Sequence, residues 1–498
     1  MTRQTIEEAR HKRRVAHGQG AIAPTRDRAE SGERPTEDPT ALVKELFHLA
    51  WPITGAMFGE TLLGLVDTKL VGGLGPAALG GVGIGTMVVF LGYGIVFGLM
   101  RAVKVATSHA VGRGEPEQGL RFAQAGLAIG AVFGVLVWSL SRDVSGMLLA
   151  LGIDRTLVTP ATSFLSAISY GAPATCMLAA LIQHRQAIGD PRSPMVVGVV
   201  GNVFNAALSY GLIYGHFGLP ALGVRGGGFG TATTEWVELT ALLALFVRDA
   251  RRSARARTLP DISLRRALFE VLDLGVPTGV QFGFEMLAFA TLTTLLGSMG
   301  DREIAAHQIA LSTIRASFLP GIAVGEAASV MVGRALGRGD LREADRVTGW
   351  ALAMASGFMA VCGVVFASFA GDLAHAFTSD EGVATVAKHL LWIAAGFQVL
   401  DAWNIVLRGA LRGAKDVRVT AVLGVAIVWT CVPTAAFVLG KLLGWGAVGG
   451  WCGFVAETAI ATAVFSARWR RGGWRKAYAR AKVVDSPGAL LRHELLAE

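Results

Sequence analysis

Cysteine and charge are what this chain has least of. Its 498 residues hold four cysteines, Cys176, Cys362, Cys431 and Cys452, all inside apolar runs. Their spacing suits neither a disulfide framework nor a zinc site, so they read as small packing residues. Charged residues make up only 17% against 52% hydrophobic, which excludes an ordinary soluble globule. No phosphate-cradling glycine loop, HExxH zinc pair or nucleophile elbow stands in a workable context. The chain is therefore not read as an enzyme, and no cofactor is expected.

Glycine, at 64 residues, and long apolar runs are what it has in excess. A membrane-crossing helix needs roughly 20 mainly apolar residues. Twelve such runs fit, near 42–68, 78–106, 119–140, 157–182, 194–215, 227–248, 267–298, 303–332, 346–370, 384–407, 417–440 and 446–467. Each is far longer than the ~10 alternating residues of an outer-membrane strand, so the expected class is all-α integral membrane. Residues 1–40 are polar, carry both charge signs and lack an apolar core; they read as a disordered cytoplasmic tail, not a cleaved signal peptide. The basic end, 468–498, suits an anionic inner leaflet.

The net charge of +9 does not call for a nucleic-acid partner, because Lys and Arg alternate between loops. HAVGRGEPEQGLR, QHRQAIGDPRSP and RGALRGAKDVR each hold two or more Lys or Arg, whereas VGGLGPAALG, YGHFGLPALG and GKLLGWGAVGG hold at most one. By the positive-inside rule both termini are expected in the cytoplasm of a multi-pass inner (plasma) membrane protein.

Sliding the sequence against itself by 225 residues lays Pro52 on Pro277, Glu60 on Glu285, Leu62 on Leu287, Thr68 on Thr293, Gly72 on Gly297 and Gly75 on Gly300. AVGRGE meets ALGRGD at the same offset. The chain is an internal duplication. The expected architecture is two six-helix lobes, 41–248 and 267–467, related by a pseudo-two-fold axis along the membrane normal and joined by a basic cytoplasmic linker, 249–266.

The duplication also pairs acids inside the spans. Glu60 has its twin in Glu285, and GGGFGTATTE resembles GGWCGFVAE, pairing Glu235 with Glu457. Asp67 follows Glu60 by two helical turns on one face, and Glu238, Glu326 and Asp401 are further acids within spans. A lipid-facing carboxylate near the bilayer centre costs roughly 2.5 to 3.5 kcal/mol, so these groups must face water, one another or bases. Intramembrane ionisable residues are functional candidates by default. For Glu60, Glu235 and Glu457 a structural role stands beside coupling or cavity lining. Glu238, without a twin, reads as structural. Asn205 is a ligand or an interhelical hydrogen bond, and His307, near a helix end, reads as capping or packing.

VDTKLVGGLGPAALGGVGIGT, EIAAHQIAL, the VGRGE and LGRGD helix ends, and LDAWNIVLRGALRGAKD resemble the multidrug and toxic compound extrusion (MATE) family over about residues 41–467. The resemblance implies an antiporter that expels amphipathic, mostly cationic organic compounds in exchange for inward sodium or protons. The NorM-type branch resembles the chain best: Glu285 and Asp401 match its cation-site acids, which could hold sodium, and Asp67 matches its first-helix aspartate. The DinF-type branch fits less well, since its Asn-x-x-x-Asp is NAALS here, with Asn205 kept and Ser209 in the acid's place.

Among the aromatic and soft residues Phe282, Phe284, Met286, Phe397 and Trp403, the substrate-cavity candidates are Phe284 and Trp403, through cation-π contact; packing is the plainer reading. Arg101 and Lys104 depart from the family's usual apolar pattern. The offset places Arg101 opposite Glu326, a candidate cytoplasmic gate, while the plainer reading has both bases snorkelling to the headgroups. Beyond small organic cations and the bilayer no partner is expected, and a monomer is. The rival readings are a lipid-linked precursor flippase of the related superfamily and a non-transport membrane scaffold or enzyme.

Overall fold

A chain crossing hydrocarbon must satisfy every backbone N–H and C=O within its own segment, which favours helices. The computed structural model describes residues 39–141, 144–255 and 262–484, and over them the chain is helical without any strand. The expected tail 1–40 lies, up to residue 38, outside the described residues, as do 256–261 of the linker and 485–498 of the basic end.

The first half comprises α1 (Pro39–Gly72), α2 (Pro76–Gly112), α3 (Gln118–Leu140), the short α4 (Ser145–Ala150), α5 (Arg155–Ile168), α6 (Ala172–Ala187), α7 (Arg192–Tyr214) and α8 (Val224–Arg255). The second comprises α9 (Leu264–Gly297), α10 (Asp301–Gly337), α11 (Leu341–His375), α12 (Glu381–Gly413), α13 (Val417–Ala435) and α14 (Gly446–Arg470), followed by α15 (Gly473–Val484). Side-chain caps start several of these: Asp340 accepts the Glu343 N–H at 2.9 Å and Asp380 the Val383 N–H at 2.9 Å, each satisfying a donor the helix cannot.

Eleven of the twelve expected passages are long and apolar enough to cross a membrane. The exception is α8: it has 32 residues but carries Arg225, Glu235, Glu238 and a charged C-terminal end. It packs against α5, α6 and α7. The expected fourth span, 157–182, is broken by a 3-10 turn at Ser169–Gly171. There a Cβ on Gly171 would stand 2.8 Å from the Ala232 Cα, and Pro173 follows without an N–H to give. Most other helices overrun their apolar runs, because a helix can continue past hydrocarbon with its charged residues at the interface.

Two main cores follow the two halves. One gathers Val96, Phe122, Phe164 and Cys176; the other gathers Leu292, Phe366, Leu390 and Trp451. The long α9 belongs to both, with Ala267, Val271 and Leu274 in the first and Ala288, Leu292 and Leu296 in the second. Close packing of α2 on α9 and α10 joins the halves. Apart from Arg101, α2 is buried from Gly98 to Ala110, and α10 is buried from Ala323 to Gly333, whereas Leu79, Met87, Phe90 and Leu91 of α2 are exposed.

The halves are thus pressed together at the end that carries the loops 113–117 and 338–340, each opened by an arginine. Positions one repeat apart meet there: Arg101 pairs with Glu326 at 3.4 Å, and a Cβ on Gly333 would lie 2.9 Å from that of Ser108. A Cβ on Gly337 would stand 2.9 Å from the Gly112 Cα and 2.4 Å from the His109 carbonyl oxygen. Only glycine permits this approach. Arg334 of α10 ties the same end to the first half, donating to the Ala187 carbonyl at 2.8 Å and pairing with Glu45 at 2.9 Å.

Gly112→Val should lower stability by about 1–3 kcal/mol through overpacking against the Arg334 carbonyl, read as a depressed melting temperature in detergent. Gly349→Val, where a Cβ meets nothing within 4 Å, is expected to leave it near wild type.

Candidate cation sites

Three groups of buried or cavity-facing charges carry the chemistry. The first lies at the seam. Glu326 on α10 receives Lys104, Arg101 at 3.4 Å and Arg412 at 3.2 Å, and Lys104 also donates to Gln186 at 3.0 Å. Lys104 is only 1% exposed, which corrects the reading that it snorkels to headgroups: a carboxylate and an amide meet its ammonium inside the protein. Arg101 stands over the Phe282 ring at 5.4 Å. One acid here holds three cations.

The second group is in the second half. Arg408 on α12 reaches Glu285 on α9 at 2.7 Å and Glu457 on α14 at 3.7 Å. Gln281 donates to the same Glu285 oxygen at 2.9 Å, and Thr458 and Asn404 donate to Glu457 at 3.2 and 3.5 Å. Asp401, two turns before Arg408, feels both Arg408 and Glu457 electrostatically but makes no ion pair among the described residues. Sequence reasoning missed Arg408 and Arg412. It ended the tenth span at 407 and assigned both arginines to a basic loop, whereas α12 runs to Gly413. The seven-residue spacing that linked Glu60 to Asp67 also links Asp401 to Arg408, and would have shown them on one face.

The third group lines a cavity of about 430 Å³ in the first half, walled by α1, α2, α6, α7, α8 and α10. Glu60, Glu235 and Glu238 line it beside Tyr93, Asn202 and Gln183, as do Arg101, Lys104 and Glu326 of the seam cluster. None of the three acids has a basic partner within ion-pair distance among the described residues. Glycines give two of them room: a Cβ on Gly171 would lie 2.2 Å from Glu235, and one on Gly201 1.9 Å from Glu238. Glu238 therefore stands on the cavity wall within electrostatic reach of Glu235 and Glu60.

The other candidates are placed as follows. Asn205 is fully buried, takes a hydrogen bond from Ser209 and donates to Thr231 at 3.3 Å, joining α7 to α8 on the cavity wall. Asp67 has one buried carboxylate oxygen without a hydrogen bond and does not line the cavity. His307 is buried and accepts the Trp451 indole N–H at 3.0 Å. Phe284 is 46% exposed, and Trp403 donates to Ser356 of α11 at 3.0 Å; neither lines this cavity. Among the described residues no group of three or more His, Cys, Asp or Glu side chains is gathered to hold a metal ion.

Two joined helical halves, partnerless acids on an internal cavity and a glycine-tight seam at one end define the fold class of a multi-pass membrane transporter. The MatE family profile matches twice, at residues 52–211 and 277–436, the two matches being separated by the same 225 residues as the sequence repeat. A probable multidrug resistance protein NorM of Acinetobacter baylyi is 30% identical over 87% of this chain and 97% of its own length. Another, from Xanthomonas campestris, is 32% identical over 85% and 93%. The crystal structure of the eukaryotic MATE transporter AtDTX14 superposes with a TM-score of 0.79 at 20% identity, covering 89% of this chain and 99% of that one. The chain belongs to the MATE family and is of its NorM type.

Because Glu326 is shared by three cations, Glu326→Gln should destabilise by roughly 3–5 kcal/mol, leaving them buried and uncompensated. Arg101→Gln should cost less, since Lys104 and Arg412 remain on the acid. Melting of the two purified variants side by side checks the order.

Proposed function

We propose that this chain is a secondary antiporter of the inner membrane that expels amphipathic organic cations and takes up sodium or protons in return. Family membership supports export, and relatives named multidrug resistance proteins point to small organic substrates. The observation that carries the cationic reading is the first-half cavity, where Glu60, Glu235 and Glu238 make no ion pair among the described residues. Three carboxylates on one cavity wall, none of them in an ion pair, favour a cation, and the coupling ion and an organic ammonium compete for them. Asp67 on α1 is proposed to add to this coupling, whereas Glu285 and Asp401, which stand beside Arg408, are proposed to bias it electrostatically.

The contacts between positions one repeat apart support a pseudo-two-fold axis running through the seam. With the basic loops in the cytoplasm, this conformation is closed to the inside, and the Arg101–Lys104–Glu326–Arg412 cluster acts as the inner gate. Opening inward parts these charges, so their pairing sets the balance between the two states. Each elementary charge that moves inward gains about 2.3 kcal/mol per 100 mV; a monovalent organic cation moving outward spends the same, so its export draws on the coupling ion's concentration gradient or on a second inward charge. Both termini are cytoplasmic in this arrangement, and the transporter works as a monomer. The partnerless acids disfavour a flippase for polyanionic lipid precursors.

In proteoliposomes a fluorescent organic cation should move against an imposed sodium or proton gradient, and Glu235→Gln with Glu238→Gln should cut the rate about tenfold or more. A wild-type protein that responds to neither gradient would remove the antiporter reading.

A further inference from the structure

Resting on the antiporter reading above, we propose that Arg408 is a tethered counter-cation: it permanently fills the seat between Glu285 and Glu457, excludes a mobile ion from it, and leaves cation exchange to the first half's cavity. The geometry is that of an occupied site. One guanidinium nitrogen meets Glu285 at 2.7 Å, the other approaches Glu457 at 3.7 Å, and the group stands over the Phe465 ring at 5.4 Å. Gln281 fixes Glu285, while Asn404 and Thr458 fix Glu457. A Cβ on Gly424 would lie 3.1 Å from Arg408 and 3.3 Å from Glu285, so a glycine opposite them keeps the space open.

An arginine suits this duty because it stays charged at any physiological pH and cannot diffuse away. Of the other charges facing it, Asp401 makes no ion pair, and Arg412, one turn further along α12, is engaged with Glu326. The first half shows the contrast. One repeat before Arg408 stands Gln183, which lines the cavity and whose carbonyl oxygen is buried without a hydrogen-bond partner. The twin acids Glu60 and Glu235 therefore meet no guanidinium, while Glu285 and Glu457 share one.

Bound cations are counted on purified protein, sodium with the radioactive ion and protons by uptake on acidification. Arg408→Gln should take up about one more cation than wild type, in one form or the other, because Glu285 and Glu457 would otherwise be left as neighbouring buried charges. Millimolar methylguanidinium should displace the extra ion, and Arg408→Lys should keep the wild-type count. Equal counts in wild type and in folded Arg408→Gln overturn the proposal.

An independent arm uses Gln183→Arg, which plants a guanidinium among Glu60, Glu235 and Glu238. It should weaken tetraphenylphosphonium binding about tenfold or more, and unchanged affinity overturns the proposal even where Arg408→Gln does not fold. Failure of the wild type to transport any organic cation would instead strike the antiporter reading, which these counts do not measure.

Discussion

A charge inside an apolar bundle has to meet an opposite charge or water, and this constraint sorts every intramembrane acid of the chain. Four bases deep in the protein, Arg101, Lys104, Arg408 and Arg412, decide the outcome. Glu326 draws Arg101 and Lys104 across the seam and Arg412 from its own half, and Glu285 and Glu457 share the fourth. Glu60, Glu235 and Glu238 are left to the cavity. The same amino acid is thus ion-paired in one place and without an ion pair on a cavity wall in another, and neighbouring helices make the difference.

Backbone proximity supplies the second constraint. At the closed end α2 and α10 approach so nearly that Gly112 and Gly337 leave no room for a methyl group. Opposed charges then sit at the contact instead of in separate solvent shells. Charge and packing reinforce one another: the glycines bring the helices together, and the Glu326 cluster gives that approach an electrostatic gain. Arg334, reaching Glu45 and the end of α6, adds a third tie at the same level.

Much of this was legible beforehand. Length and apolarity placed the helices, and the 225-residue repeat paired Glu60 with Glu285 and Arg101 with Glu326. Composition stopped reading too early at helix ends, however. Arg408 and Arg412 looked like loop residues because a hydropathy run breaks at the first charge, whereas a helix does not. Lys104 looked like a headgroup ligand because its partners, Glu326 and Gln186, lie 222 and 82 residues away. The break at Ser169–Gly171 was partly hidden for a similar reason, since α8 pressing on Gly171 adds to what Pro173 does locally.

The sequence by itself determined that the chain is a duplicated, all-helical membrane protein with acids at matched positions, because periodicity, hydropathy and repeat spacing are properties of neighbours along the chain. Which acids are neutralised was decided only by the tertiary structure. Ion pairing depends on distances of a few ångströms between helices far apart in sequence, and a displacement of one side chain separates a filled seat from an open one.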